Sequence, residues 1–227
     1  MATTNGGHRR ARLGPTLLAI ALIAGLGVAG AWSLSRFDVP MITGRVPAVA
    51  HDAYRSASRA APSVRDSCVV DWTILAGIGQ VESRHGLLDA RHELAPDGDV
   101  EPAIRGRALD GRGGTQTIPD TDGGEFDGDA TWDRAMGPLQ FIPTTWAELG
   151  RDGNGDGRAD PDNLYDAALT AVAHLCLREP GDYTQRAQLR RALIAYNASG
   201  SYADSVLEWV DRYSSRPLDE VVERSAA

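Results

Sequence analysis

Glu82 is the residue whose type and setting are best suited to chemistry. It lies in the run Trp72-Thr-Ile-Leu-Ala-Gly-Ile-Gly-Gln-Val-Glu-Ser-Arg-His85, with Leu75 and Ile78 seven and four residues before it. In a helix that spacing puts the carboxylate on the face of the two apolar side chains. Desolvation on such a face raises a carboxyl pKa, which is what a general acid working near neutral pH needs. The plain alternative is a last-turn Glu paired with Arg84 or another arginine, since most helical glutamates are solvated or paired.

A second set of donors stands in Asp152-Gly-Asn-Gly-Asp-Gly-Arg-Ala-Asp-Pro-Asp-Asn163. Asp152, Asn154 and Asp156 fall where an EF-hand-like loop places its first oxygen ligands, and Gly157 falls at its sharp turn. Arg158 would add its backbone carbonyl, and Asp160 a direct or water-bridged oxygen. A structural Ca2+ ion is therefore expected. The last position departs from the pattern: Asn163 stands where a bidentate Glu belongs, with Asp162 one residue early, so Asn163 can instead cap the next helix. The alternative is a Gly-rich acidic turn without metal.

Cys68 and Cys176 are the only cysteines. In an exported chain a disulfide between them is expected, and the alternative is two buried thiols. His85 and His92 do not form a His-Glu-x-x-His pair, which argues against a zinc hydrolase.

The composition narrows the classes. All 23 basic side chains are Arg, which excludes a Schiff-base lysine and a Walker A phosphate loop. A net charge of −8 argues against a nucleic-acid partner. Residues 1–36 carry +4, leaving −12 for the rest, and residues 93–166 alone hold 17 acids against 6 Arg. Arg9, Arg10 and Arg12 precede an uncharged apolar run from Leu13 to Trp32, about 30 Å long if helical, enough to span a bilayer core. The run reads as an export signal or membrane anchor, with an Ala29-Gly30-Ala31 triplet as a possible cleavage site, and places the rest of the chain outside the cytoplasm.

Several elements must position these groups. A helix is expected from Val46 to Ala61, stopped by Pro62, and another from Trp72 to His85, capped by Asp71 and ended by Gly86. Residues 87–134 read as a long Gly- and Asp-rich loop with room for a short hairpin. A short helix follows Pro143 and closes at Gly150. Asn163 caps a helix carrying Leu164, Ala168, Ala171, Val172, Leu175 and Cys176 on one stripe. Arg186–Asn197 and Ser201–Tyr213 read as a helical hairpin hinged at Gly200, and the tail beyond Pro217 as frayed. The chain divides into a basic flank and signal or anchor helix (1–36), a linker (37–45), a mainly α domain (46–214) and a flexible tail (215–227).

Three blocks in order, Gly77-Ile-Gly-Gln-Val-Glu-Ser-Arg-His-Gly86, Ala135-Met-Gly-Pro-Leu-Gln-Phe-Ile-Pro-Thr-Thr-Trp146 and Ile194-Ala-Tyr-Asn-Ala-Ser-Gly-Ser-Tyr202, resemble the Glu-Ser, Gly-x-x-Gln-Phe-x-Pro and Ala-Tyr-Asn motifs of lytic murein transglycosylases. The likeness is strongest to the membrane-bound B type and its actinobacterial relatives, and covers about residues 46–210. It implies a lysozyme-like helical domain that binds peptidoglycan glycan strands and cleaves between N-acetylmuramic acid and N-acetylglucosamine, leaving a 1,6-anhydromuramyl end. It implies Glu82 as the single acid and base, with Ser83, Gln140, Tyr196, Asn197 and Tyr202 as substrate-binding positions and Ser199 as a lining residue. B-type relatives also carry an EF-hand-like calcium site. Gln140 alternatively braces its loop and Tyr196 alternatively is a core aromatic.

A lone acid suits this chemistry, because ordinary glycosidases need a second carboxylate and an attacking hydroxyl within the same sugar does not. Two rival functions stand beside it. One is a hydrolytic muramidase, with Asp122, Asp127, Asp129 or Asp133 positioning water. The other is a non-catalytic, calcium-stabilised glycan-binding protein. The acidic stretch Thr121–Asp133 would wall a groove, bind a second ion or be solvated, and Trp132 would stack on a sugar or be buried. A monomer is expected.

Overall fold

Side-chain caps set where three of the helices begin. Asp71 accepts from the Thr73 N–H at 2.9 Å and starts α2 (Trp72–Ser83). Asn163 accepts from Tyr165 and Asp166 and starts α4 (Leu164–Arg178), and Ser199 accepts from Tyr202 and starts α6 (Gly200–Ser214). Pro143 opens the short α3 (Pro143–Leu149), where its missing N–H costs nothing, and Gly150 ends it. The remaining helices are α1 (Ala48–Val64), α5 (Arg186–Tyr196) and α7 (Leu218–Val221). The computed structural model describes residues 44–223, and over these the protein is mainly helical.

The apolar stripes explain the packing. α4 lies against α1, α3 and α5, and buries Ala167, Ala168, Ala171, Val172 and Cys176 completely. α2 packs on α6 and α1, with every residue from Thr73 to Gly79 buried. Gly77 permits the α2–α6 approach: a Cβ there would lie 3.0 Å from the Val206 carbonyl. Cys68, ahead of α2, is disulfide-bonded to Cys176 of α4, with the Cα atoms 5.8 Å apart.

Two helix ends and the 87–134 loop differ from expectation. α1 runs through Pro62 to Val64, because the proline falls in the last turn and the Arg65 N–H returns to the Ala61 carbonyl. α2 ends at Ser83 rather than His85, since Arg84 and His85 are already left-handed. The 87–134 loop contains two ribbons, not one hairpin. β1 (Glu93–Leu94) pairs with β2 (Val100–Glu101), and β3 (Arg105–Ala108) pairs with β4 (Arg134–Met136), both antiparallel. These strands have two to four residues, too short for an alternating pattern to show.

The expected flexible tail is also corrected over the described residues. Val221 is buried, and Val222 forms a parallel bridge to Val46, with the Val46 N–H donating to Val221 and the Glu223 N–H to Val46. The folded unit therefore closes at its two ends. Among the described residues no helix is long and apolar enough to cross a membrane. The basic flank and the Leu13–Trp32 run lie outside the described residues.

Candidate active site

Glu82 occupies the last turn of α2, with Leu75 and Ile78 fully buried on its apolar side. The residue keeps partial exposure, but its Oε1 is buried with no hydrogen-bond partner. Burial pushes its pKa up to about 8; the Tyr202 hydroxyl, close by but in no formed hydrogen bond, offsets only part of this. Among the described residues no cation pairs with the carboxylate, and the Arg84 guanidinium reaches the Leu88 carbonyl at 3.1 Å. The paired, solvated Glu is not what the fold builds. At neutral pH Glu82 is a carboxylic acid with a proton to give.

Two tyrosines stand beside it. Burial first, and the nearby Glu82 charge second, hold the Tyr196 and Tyr202 hydroxyls well above the usual phenol range. Their rings lie nearly parallel, 4° apart in tilt with centroids 6.4 Å apart. Tyr202 Oη and Asn197 Nδ2 are buried without partners, as is Glu82 Oε1. Buried polar atoms left unpaired in a folded protein are rare and point to a missing ligand or water.

The second motif block forms a tight turn closed by paired bonds between Met136 and Phe141, N–H to carbonyl in both directions at 2.8 and 3.0 Å. Three consecutive carbonyls of this turn are each held by a residue expected to bind substrate. Gln140 Nε2 donates to Gly137 at 2.8 Å, Ser83 Oγ to Pro138 at 2.6 Å, and Tyr196 Oη to Leu139 at 3.0 Å. All three side chains are buried. The structure thus gives Ser83, Gln140 and Tyr196 a bracing role and joins the three sequence blocks at one turn. Gln140 adopts a left-handed φ of 53°, and Gly137 cannot carry a Cβ, which would sit 1.7 Å from the Pro161 carbonyl. The turn is therefore pressed onto the acidic loop. Ser199 caps α6 and shares a 3.0 Å hydroxyl contact with Ser201.

Behind Glu82 the chain makes an unusual exit. Arg84, His85 and Gly86 follow in succession with φ of 56°, 64° and 90°. The first two cost about 1–2 kcal/mol each for side chains with a Cβ. The His85 N–H returns to the Gly79 carbonyl at 2.9 Å, and Ser83 Oγ accepts from the Gly86 N–H at 2.7 Å.

In the acidic loop the carboxylates are occupied rather than idle. Asp152 accepts from the Gly155 and Gly157 N–H groups, Asp156 from Arg158, and the Asn154 side-chain oxygen from Asp156. Gly155 and Gly157 take the positive φ that such a turn requires. This front half suits a hard cation in donor chemistry, and the Asx bonds leave carboxylate lone pairs free. The back half is engaged elsewhere: Asp160 pairs with Arg158, Asp162 is bidentate to Arg105 at 2.6 and 2.8 Å, and Asn163 caps α4. The sequence reading missed Asp166, fully buried on the first turn of α4, whose carboxylate accepts from Gly153, Asn154 and Asp160. Its position three residues after a cap Asn was the available signal. Asp120, Asp122 and Asp133, by contrast, bring ligand oxygens within 4.8 Å of one another, the one such group among the described residues.

Residues 120–181 match the family model of the transglycosylase SLT domain. The SLT match takes in Gln140, the acidic loop and Cys176, while Glu82 and the Tyr196–Tyr202 block lie outside it. It supports a transglycosylase-type function acting on peptidoglycan glycan strands, and does not single out the membrane-bound B type. No curated protein and no solved structure matches the chain.

Proposed function

We propose that the protein is a lytic transglycosylase with a lysozyme-like domain, cleaving peptidoglycan between N-acetylmuramic acid and N-acetylglucosamine, a carbon-oxygen lyase reaction. The observation that carries this is the buried Glu82, neutral up to about pH 8 with no other carboxylate contributing to its shift. Its proton passes to the glycosidic oxygen as the C1–O bond breaks. The carboxylate formed then takes the proton of the muramyl C6 hydroxyl as that oxygen bonds to C1, which restores the acid and leaves the 1,6-anhydro ring. The substrate's acetamido group and the free Asn197 and Tyr202 groups stabilise the charge that develops between these steps.

The muramidase alternative is disfavoured by the acids it needs. Asp122 accepts from Gly124 and Phe126, Asp127 from Asp129 and Arg134, Asp129 pairs with Arg134, and Asp133 holds Thr121. Each is engaged in its own loop. Mass analysis of products from purified sacculi separates the two reactions: an anhydro product is lighter than a hydrolytic one by one water. Loss of all products in Glu82→Gln supports the assignment, and retained turnover removes it. A non-catalytic glycan binder would release no soluble muropeptides at all.

The proposal includes a structural calcium ion. Asp152, Asn154, Asp156, the Arg158 carbonyl and Asp160 would hold it, and bound there it would offset loop charge without entering the reaction. It also includes an extracytoplasmic location, with the Leu13–Trp32 segment serving as an anchor or as a cleaved signal.

A further inference from the structure

His85 lies three residues after Glu82 and is buried between two tyrosines. Its Nδ1 is 3.1 Å from Tyr54 Oη of α1, and its Nε2 is 3.3 Å from Tyr213 Oη of α6. Tyr213 in turn donates to Gln80 Oε1 at 3.3 Å. With Gln80 Oε1 as the final acceptor, one proton arrangement satisfies the whole series. The Tyr213 hydrogen is committed to Gln80, so Tyr213 must accept from Nε2–H, and Nδ1 is left to accept from Tyr54. The ring must be neutral for this, and burial depresses its pKa to about 3.

The fold makes room for this chain at a specific point. Gly79 carries no side chain where a Cβ would lie 2.0 Å from Tyr54 Oη, so the hydroxyl reaches across α2 to the imidazole. The chain ends on Gln80, one turn before the strained exit, and passes through His85, the residue in the middle of it. Strained backbone persists where the surroundings over-determine it. Here the surroundings are two helices, α1 and α6, gripping one imidazole.

We propose that Tyr54, His85, Tyr213 and Gln80 form a positioning relay that locks the left-handed exit of α2 and thereby aims the Glu82 carboxyl. This rests on the reading of Glu82 as the acid. None of the four touches substrate; each acts through the backbone that carries Glu82. Such a device lowers turnover rather than binding when it is loosened, because a misplaced acid is felt in the transition state.

The test uses the full chain and soluble, uncrosslinked glycan strands, with Tyr54→Phe, His85→Ala and His85→Asn beside Glu82→Gln. Assays are run at a temperature where circular dichroism shows every variant folded. Tyr54→Phe and His85→Ala are expected to lower kcat by about 10-fold or more with KM unchanged. His85→Asn, which tolerates the left-handed backbone and keeps an acceptor for Tyr54, is expected to recover part of that loss. The relay is overturned if Glu82→Gln is inactive while Tyr54→Phe and His85→Ala keep the parent kcat, or if their losses appear in KM alone. Should Glu82→Gln itself remain active, the assignment of the acid fails, and the relay as a device for aiming it fails with it.

Discussion

Two polar regions of this molecule are built on opposite rules. Around Glu82, two polar atoms are buried without partners, Glu82 Oε1 and Tyr202 Oη, and Asn197 Nδ2 at the end of α5 is likewise unpaired. In the acidic loop and on Asp166 beneath it, half a dozen side-chain oxygens accept backbone N–H groups or pair with Arg. Unmet polar atoms in a low-dielectric setting cost stability and are available to a ligand; satisfied ones stabilise the loop and have less left to offer. The difference separates the part of the protein suited to reaction from the part that holds its shape.

The sharpest way to break the comparison is Glu82→Gln. General-acid catalysis predicts that turnover falls by about a hundred- to ten-thousand-fold, while Tm at neutral pH holds or rises because folding no longer has to protonate a carboxyl that is ionised in the unfolded chain. Turnover of the parent should decline as pH rises through about 8, where Glu82 loses its proton. The same group affects stability with a definite sign: its contribution is complete below its ordinary 4.5 and is lost as pH rises through about 8. His85, depressed from 6.5 to about 3, works oppositely, its contribution being lost as pH falls from 6.5 toward 3. A Tm profile with its maximum between pH 4.5 and 6.5, declining above 6.5 through Glu82 and below 4.5 through His85, is expected; one that stays flat to pH 3 would contradict the buried neutral imidazole.

In the acidic loop the largest effect belongs to Asp166→Ala. It strands three backbone N–H groups in a part-buried site, at a cost of about 3 kcal/mol, readable by urea titration, with kcat/KM retained at temperatures where the variant is folded. A smaller pair of effects compares the two stacked tyrosines. Tyr196→Phe leaves the Leu139 carbonyl unpaired and should destabilise by about 1–3 kcal/mol. Tyr202→Phe removes a hydroxyl that has no partner, so stability should hold while turnover drops about 10-fold; equal thermal losses in both variants would erase the distinction. The smallest shift is calcium's, about 1.4 kcal/mol at ten times Kd. A Tm indifferent to chelation would leave the loop's hydrogen bonds as its whole support.

What the sequence made legible follows from local physics. The Glu82 face could be read because helical periodicity depends on i−4 and i−7 neighbours, and Asp71 and Asn163 could be read as caps because capping is a matter of two or three residues. The bracing of Ser83, Gln140 and Tyr196 was hidden. Their types suit substrate contact equally well, and only the turn held between the ends of α2 and α5 shows that its carbonyls claim them. The ordered tail was hidden for the same reason, since Val222 is held by Val46, 176 positions away in the chain. Neither partnership leaves a local trace.

The Cys68–Cys176 bond encloses α2 with Glu82, the whole insertion and the acidic loop, and leaves α5 and α6 outside. A protease that nicks an exposed segment such as Arg112–Gly114 would therefore not release a fragment. The two pieces would migrate together on a non-reducing gel and separate only after reduction. Cut once there, the chain would keep Glu82, the braced turn and the acidic loop in one covalently linked molecule.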